Sequence, residues 1–105
     1  MKDLEEEFHQ DMLEIYKTAI EACNYRAKAF LAMVVEMGGL KAAKKLLSST
    51  EIQSGLYELF ECGRLDLTVE CLVAEKHGGK YRKLFTPVEV VEAERRLQLF
   101  RKRTG

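Results

Sequence analysis

Two histidines and three cysteines are the groups in this chain best suited to hold a metal or attack an electrophile, and their spacing decides whether they can. Glu6 and His9 stand three residues apart, which on a helix puts a carboxylate and an imidazole on one face. Carboxylate-bridged di-iron bundles use such a pair twice, with two further glutamates. The other histidine, His77, has Ala74 rather than a glutamate three residues before it, so the second half-site is missing. Cys23, Cys62 and Cys71 lack the short-spaced partners of a zinc site. Each lies within an apolar pattern, and the three read as reduced core residues of a cytosolic protein. A thiol nucleophile would need a base beside it, and His77 sits in a glycine-rich loop. That loop, "HGGKYRK", offers amides and cations to a phosphate. It lacks the P-loop order of glycines followed by Lys-Ser/Thr, and reads as a solvated loop. No catalytic set, metal site or cofactor site can be assembled, and no enzyme activity is expected.

The stretch "ECGRLDLTVECLV", residues 61–73, has the outline of a helix, a glycine turn and a capped helix. Leu59, Val69 and Leu72 are apolar where a helix-turn-helix needs them to be. A recognition helix, however, wants Arg, Lys, Asn or Gln against phosphates and base edges. This one offers Asp66, Glu70 and Glu75. The corner therefore reads as structural. Gly63 closes one helix, Asp66 caps the next, and Arg64 braces the turn or pairs with a carboxylate. Leu65 and Leu67 then plug the core. A contact surface built around Arg64 and Asp66 is the competing reading.

The surrounding periodicity predicts an all-α chain, a compact single-domain bundle of five to six short-to-medium helices. There is one proline and no run of alternating β-branched residues. Leu4, Phe8, Met12, Ile15, Ala19 and Cys23 form the stripe of an acidic amphipathic helix over 1–23, with Asp3 as N-cap. A second helix is expected from Asn24, burying Phe30, Val34 and Met37 and ending at Gly38 and Gly39. The first two helices should form an antiparallel pair. A third runs over Leu40 to Leu47, burying Leu40, Ala43 and Leu47. After the Ser48-Ser49-Thr50 linker, a fourth runs from Glu51 to Cys62, with Ile52, Leu56, Leu59 and Phe60 as its stripe. Val69, Leu72 and Val73 belong to a fifth. His77-Gly78-Gly79 breaks it, and Tyr81 to Phe85 make one more turn. Thr86-Pro87-Val88-Glu89 is a capping box, opening a last helix that buries Val90, Ala93, Leu97 and Phe100. The core helices thus span 24–100, and 101–105 is a basic tail. At 105 residues one domain is expected, and the longest apolar run is too short for a membrane span. The acidic N-terminus does not resemble a targeting peptide, and a cytoplasmic location is expected.

The formal charge is zero but unevenly spread. Residues 1–23 carry two positive and seven negative charges, a net of −5; residues 24–50 sum to +4, residues 51–79 to −4 and residues 80–105 to +5. Either acidic and basic segments complement one another inside the fold, or the protein presents a basic face to an acidic partner. Candidate contacts for nucleic acid or an acidic partner are Lys41, Lys44, Lys45, Arg82, Lys83, Arg95, Arg96, Arg101, Lys102 and Arg103. Tyr81 and Phe85 lie among them and could stack on bases if exposed.

"GGLKAAKKLL", "SGLYELFECGRLDLTVECLV" and "YRKLFTPVEVVEAERRL" together resemble a group of short bacterial proteins known mainly as uncharacterised open reading frames. The resemblance runs from about Tyr16 to Leu97 and leaves out the first fifteen residues. It implies no activity, cofactor or catalytic residue. The expectation is a small helical interaction module acting through protein contacts, with itself or with a larger bacterial assembly. The alternative is a nucleic-acid-binding accessory protein using its basic clusters. Neither a membrane nor a small-molecule substrate is indicated.

Overall fold

A computed structural model of the chain describes residues 3–49 and 54–104. The expectations placed on Thr50, Glu51 and Ile52, and on the side chain of Arg103, lie outside the described residues. The described residues form seven α-helical segments and two 3₁₀ turns, with no strand among them. The chain is all-α. Its radius of gyration, 12.8 Å, is what one globular domain of about 100 residues gives. The helix count exceeds the expected five to six because the chain between α4 and the last helix is cut into short pieces.

Helix α1 (Leu4–Cys23) starts as its sequence requires. The Asp3 carboxylate accepts the amide of Glu6 at 2.8 Å, and Glu5, Glu6 and Glu7 fill the first turn. Phe8, Met12, Ile15 and Ala19 are its buried stripe. Asn24 does not begin the second helix. It takes the left-handed conformation (φ 52°), and its amide closes α1 onto Ile20. Asparagine tolerates that conformation better than most residues. α2 (Lys28–Met37) follows a short loop, and α3 spans Gly39–Ser48.

Only Gly38 between α2 and α3 takes a positive φ, 87°. Gly39 is the first residue of α3 and is buried against α1. A Cβ there would lie 2.8 Å from the Cα of His9. Two glycines read as one helix stop thus have separate causes, a turn and a close helix approach. His9 Nδ1 accepts the Gly39 amide at 2.9 Å, so α1 caps α3 from outside.

Helix α4 (Ser54–Glu61) ends at Gly63 (φ 77°), where the Arg64 amide reaches Leu59 O at 2.8 Å. A 3₁₀ turn (Leu65–Leu67) leads to α5 (Val69–Ala74), all six of whose residues are buried. α6 (Lys76–Gly79) is one irregular turn, with His77 and Gly78 at positive φ. A second 3₁₀ turn (Lys80–Leu84) precedes α7 (Pro87–Thr104). The capping box of α7 forms as expected. Thr86 Oγ1 accepts the Glu89 amide at 3.2 Å, and Glu89 Oε1 accepts the Thr86 amide at 2.8 Å.

The main core joins α1, α3, α5 and α7 around Phe8, Met12, Leu72, Val73 and Leu97. Phe8 meets Tyr81 and Phe85 edge-on, with ring centroids 5.1 and 5.4 Å away. A smaller cluster of Ala19, Leu59 and Leu67, backed by Cys23 and Tyr25, attaches α4 to the end of α1.

Candidate functional site

The corner at Gly63 resolves into an ion pair and a cap. Arg64 Nε and Nη2 donate to the two carboxylate oxygens of Asp66 at 3.0 and 3.1 Å. The Arg64 guanidinium holds the Asp66 carboxyl below its usual range. Leu67 is buried in the small cluster, and Leu65 packs on the main core. Asp66 is not the cap of α5, because it lies within the 3₁₀ turn, two residues before the capping position. Thr68 is the cap: its hydroxyl accepts the Cys71 amide at 3.1 Å and donates to Leu65 O at 2.8 Å. Thr68→Ala should therefore cost about 1–2 kcal/mol by leaving a buried amide unpaired. Asp66→Ala should leave the melting temperature nearly unchanged, since its pair with Arg64 is about half exposed. Thermal melts of the two variants check this, and the opposite ranking would restore Asp66 as the cap.

Glu70 was expected on the surface of a would-be recognition helix. It is buried at 5% exposure, beside Arg96 at 0%. Arg96, read from sequence as a surface contact for nucleic acid, spends all five donors inside the fold. Nε donates to Glu92 at 2.6 Å. Nη1 donates to Glu70 at 3.1 Å and to Leu46 O at 3.2 Å. Nη2 donates to Leu47 O at 3.3 Å and to Ser49 O at 2.7 Å. The guanidinium thus ties α7 to α5 and satisfies carbonyls at the C-terminal end of α3, where a cation is favoured.

Glu92 is shared between Arg96 and Arg95, whose Nε and Nη2 reach it at 2.8 and 2.7 Å. Arg95 first, and Arg96 with it, hold the Glu92 carboxyl down to about 2 against the opposing effect of burial. A carboxyl held below its unfolded value contributes stability above the unfolded pKa and loses it as the pH falls through the folded one. Stability should thus decline from about pH 4.5 towards pH 2. Glu92→Gln should flatten that part of the profile, measured by urea unfolding at a series of pH values.

Three of the other basic candidates are also engaged. Lys44 meets Glu89 at 2.8 Å, Arg82 meets Glu94 at 3.5 Å, and Arg101 reaches Glu75 with both terminal nitrogens at 2.7 Å. Lys80 joins Glu7 on α1 at 2.7 Å. Lys80–Glu7 and Arg101–Glu75, like Arg96–Glu70, connect segments of opposite net charge, whereas Lys44–Glu89 joins two basic segments and Arg82–Glu94 lies within one, so the alternation along the chain is partly satisfied within the fold. Lys41, Lys45, Lys83 and Lys102 have no ion-pair partner among the described residues. Tyr81 and Phe85 cannot stack on bases: they are 1% and 8% exposed. Tyr81 donates its hydroxyl to Asp11, and burial followed by that carboxylate pushes the phenol upward. His77 Nε2 lies 3.2 Å from the same carboxylate.

The cysteines correct the sequence reading in part. Cys71 is buried, and burial with the nearby Glu75 pushes its thiol up. Cys23 and Cys62 are joined in a disulfide with their Cα atoms 5.9 Å apart. Packing of Ala19, Leu59 and Leu67 brings the ends of α1 and α4 together, across 39 residues of sequence. The argument for a cytosolic location from three reduced thiols falls with this pair. No described helix is long and apolar enough to cross a membrane. No three His, Cys, Asp or Glu among the described residues are grouped to hold a metal.

Two surface features were not among the sequence expectations. One is a cleft of about 280 Å³ between α1, α2 and α4, floored by Leu67 and Val69. The other is the outer face of α7, where Val88, Val91 and Leu99 are 77%, 61% and 41% exposed. They follow a helical stripe with Arg95, opposite the buried stripe of Val90, Ala93 and Leu97. Sequence pattern gave α7 one apolar face; the second could have been found by asking which valines that face leaves over. No protein-family profile, curated protein or solved structure matches the chain.

Proposed function

We propose that this protein is a small non-catalytic helical interaction module whose contact face is the outer side of α7. The observation that carries the reading is the exposed pair Val88 and Val91, one helical turn apart and continued by Leu99. Single exposed apolar residues are ordinary on a protein surface, but a stripe of them on one helix suits a partner. The Arg95–Glu92 pair beside the stripe adds polar groups at its edge. The capping box fixes the first turn of α7, so Val88 and Val91 are presented on a rigid element.

The nucleic-acid alternative is weakened by where its cations lie. Arg96 is buried, and Lys44, Arg82, Arg95 and Arg101 have carboxylate partners. α5, the element in the position of a recognition helix, has no exposed residue with which to enter a groove.

The two readings separate experimentally. Val91→Asp should abolish a stoichiometric complex recovered from the producing cells while leaving the melting temperature of the protein unchanged. Lys41→Ala/Lys45→Ala should leave that complex intact. Retardation of mixed duplex and single-stranded nucleic acid, steeply weakened by salt and lost in the lysine variant, would instead favour the alternative.

A further inference from the structure

The cleft between α1, α2 and α4 is separate from the outer face of α7 and rests on separate observations. Its walls are apolar: Ile15 and Ala19 from α1, Phe30 and Met33 from α2, Leu56 and Leu59 from α4. It opens where the small cluster around Leu59 meets the main core. The one carboxylate lining it, Glu70, is already paired with Arg96 and adds little negative potential. The rim is of one sign. Arg26 and Lys28, both exposed, line the cleft and have no ion-pair partner among the described residues. Tyr16 and Tyr25 add half-buried phenol rings to the same lining.

An apolar concavity with a few polar groups at one end is the usual form of a small-ligand site. The volume bounds what fits. A dry cavity of about 150 Å³ holds benzene, so about 280 Å³ accommodates roughly eleven heavy atoms. The cations at the rim require a negative head, and the walls require a tail with nothing to hydrogen-bond.

We infer that the cleft binds a medium-chain aliphatic carboxylate, its alkyl tail between Phe30, Met33, Leu56 and Leu59 and its carboxylate at Arg26 and Lys28. The sequence alone indicated no small-molecule ligand, because these walls come from separate segments that only the fold assembles. Arg26 supplies two parallel donors suited to a carboxylate, and Lys28 supplies a point charge beside it. A neutral head leaves both cations without a counter-charge, and an ammonium head is repelled.

The test is a titration of the whole protein with octanoate, octanol and octylammonium below their aggregation ranges, read by amide chemical shifts and calorimetry. Octanoate should bind at one saturable site, with shifts centred on Ala19, Phe30, Met33 and Leu59. Affinity should rise from hexanoate to decanoate as more tail is buried, and stop rising at tetradecanoate, which the volume cannot enclose. Arg26→Ala/Lys28→Ala should weaken octanoate about tenfold and leave octanol unchanged. Met33→Trp, which fills the cleft from its half-exposed wall, should weaken both. Absence of saturable octanoate binding by the wild-type protein would overturn the inference. Equal binding of octylammonium, or undiminished octanoate binding by the double variant, would also overturn it. None of these outcomes bears on α7, whose Val91→Asp variant should bind octanoate normally.

Discussion

Arg96→Ala should destabilise the fold by about 3–5 kcal/mol, the usual cost of removing one partner from a buried ion pair. The substitution strands Glu70, which is 5% exposed, and leaves the carbonyls of Leu46, Leu47 and Ser49 without their donor. In a domain of this size that corresponds to a fall in melting temperature of more than about 12 °C. It could consume much of a total stability of about 5–15 kcal/mol. Arg96→Lys should recover only part of the loss, since an ammonium has three donors and no planar fork. Arg96→Met combined with Glu70→Leu should recover more than Arg96→Met alone, because it removes both buried charges together. Urea unfolding of the four variants decides the matter. An Arg96→Ala protein that melts within a few degrees of wild type would mean that Arg96 is a surface cation after all, as its sequence context suggested.

The second large effect is expected at Gly39. Alanine at the first turn of a helix is ordinarily better than glycine by up to about 1 kcal/mol. Here the added Cβ would lie 2.8 Å from the backbone Cα of His9 and 3.2 Å from Met12 Cγ. A side-chain tip could move aside, but the α1 backbone cannot move without shifting Phe8 and Met12 in the main core. Gly39→Ala should therefore destabilise by about 1–3 kcal/mol, as overpacked interiors do. It should also weaken the His9 cap on α3. Gly38→Ala and Gly63→Ala make useful comparisons. Both glycines have positive φ and nothing within 4 Å of a Cβ, so each should cost only the conformational penalty of about 1 kcal/mol. Equilibrium unfolding of the three variants checks the ranking. A stabilised Gly39→Ala would show that α1 and α3 do not approach as closely as described.

The contrast between these glycines shows what the sequence could and could not disclose. Helix stripes depend on local spacing, so Phe8, Met12, Ile15 and Ala19 in α1, and Val90, Ala93, Leu97 and Phe100 in α7, were legible directly. So was the Thr86–Glu89 capping box, whose two bonds span three residues. Partners distant in sequence were not. Nothing near Gly39 says that His9 packs on it from thirty residues away. Nothing near Arg96 says that Glu70 and the end of α3 converge on its guanidinium. The Cys23–Cys62 pair depends on how two helix ends meet. At the Gly63 corner the elements were readable but the cap was displaced. The short 3₁₀ turn moves the cap of α5 past Asp66 to Thr68, and the ion pair with Arg64 is what holds Asp66 instead. Two valines left over on the outer side of α7 are the exposed residues on which the proposed contact face rests, and a pattern search aimed at the core passes over them.

The most direct test of a contact face on α7 is site-specific photo-crosslinking in the producing cells, with a benzophenone side chain placed at Val91 and, separately, at Lys83. Both positions are exposed, and Lys83 belongs to the basic cluster before α7. A discrete protein adduct is expected from position 91, reduced when Val88 is also changed to Asp, and none from position 83. Crosslinks from position 83 to nucleic acid, with no protein adduct at position 91, would contradict a contact face on α7.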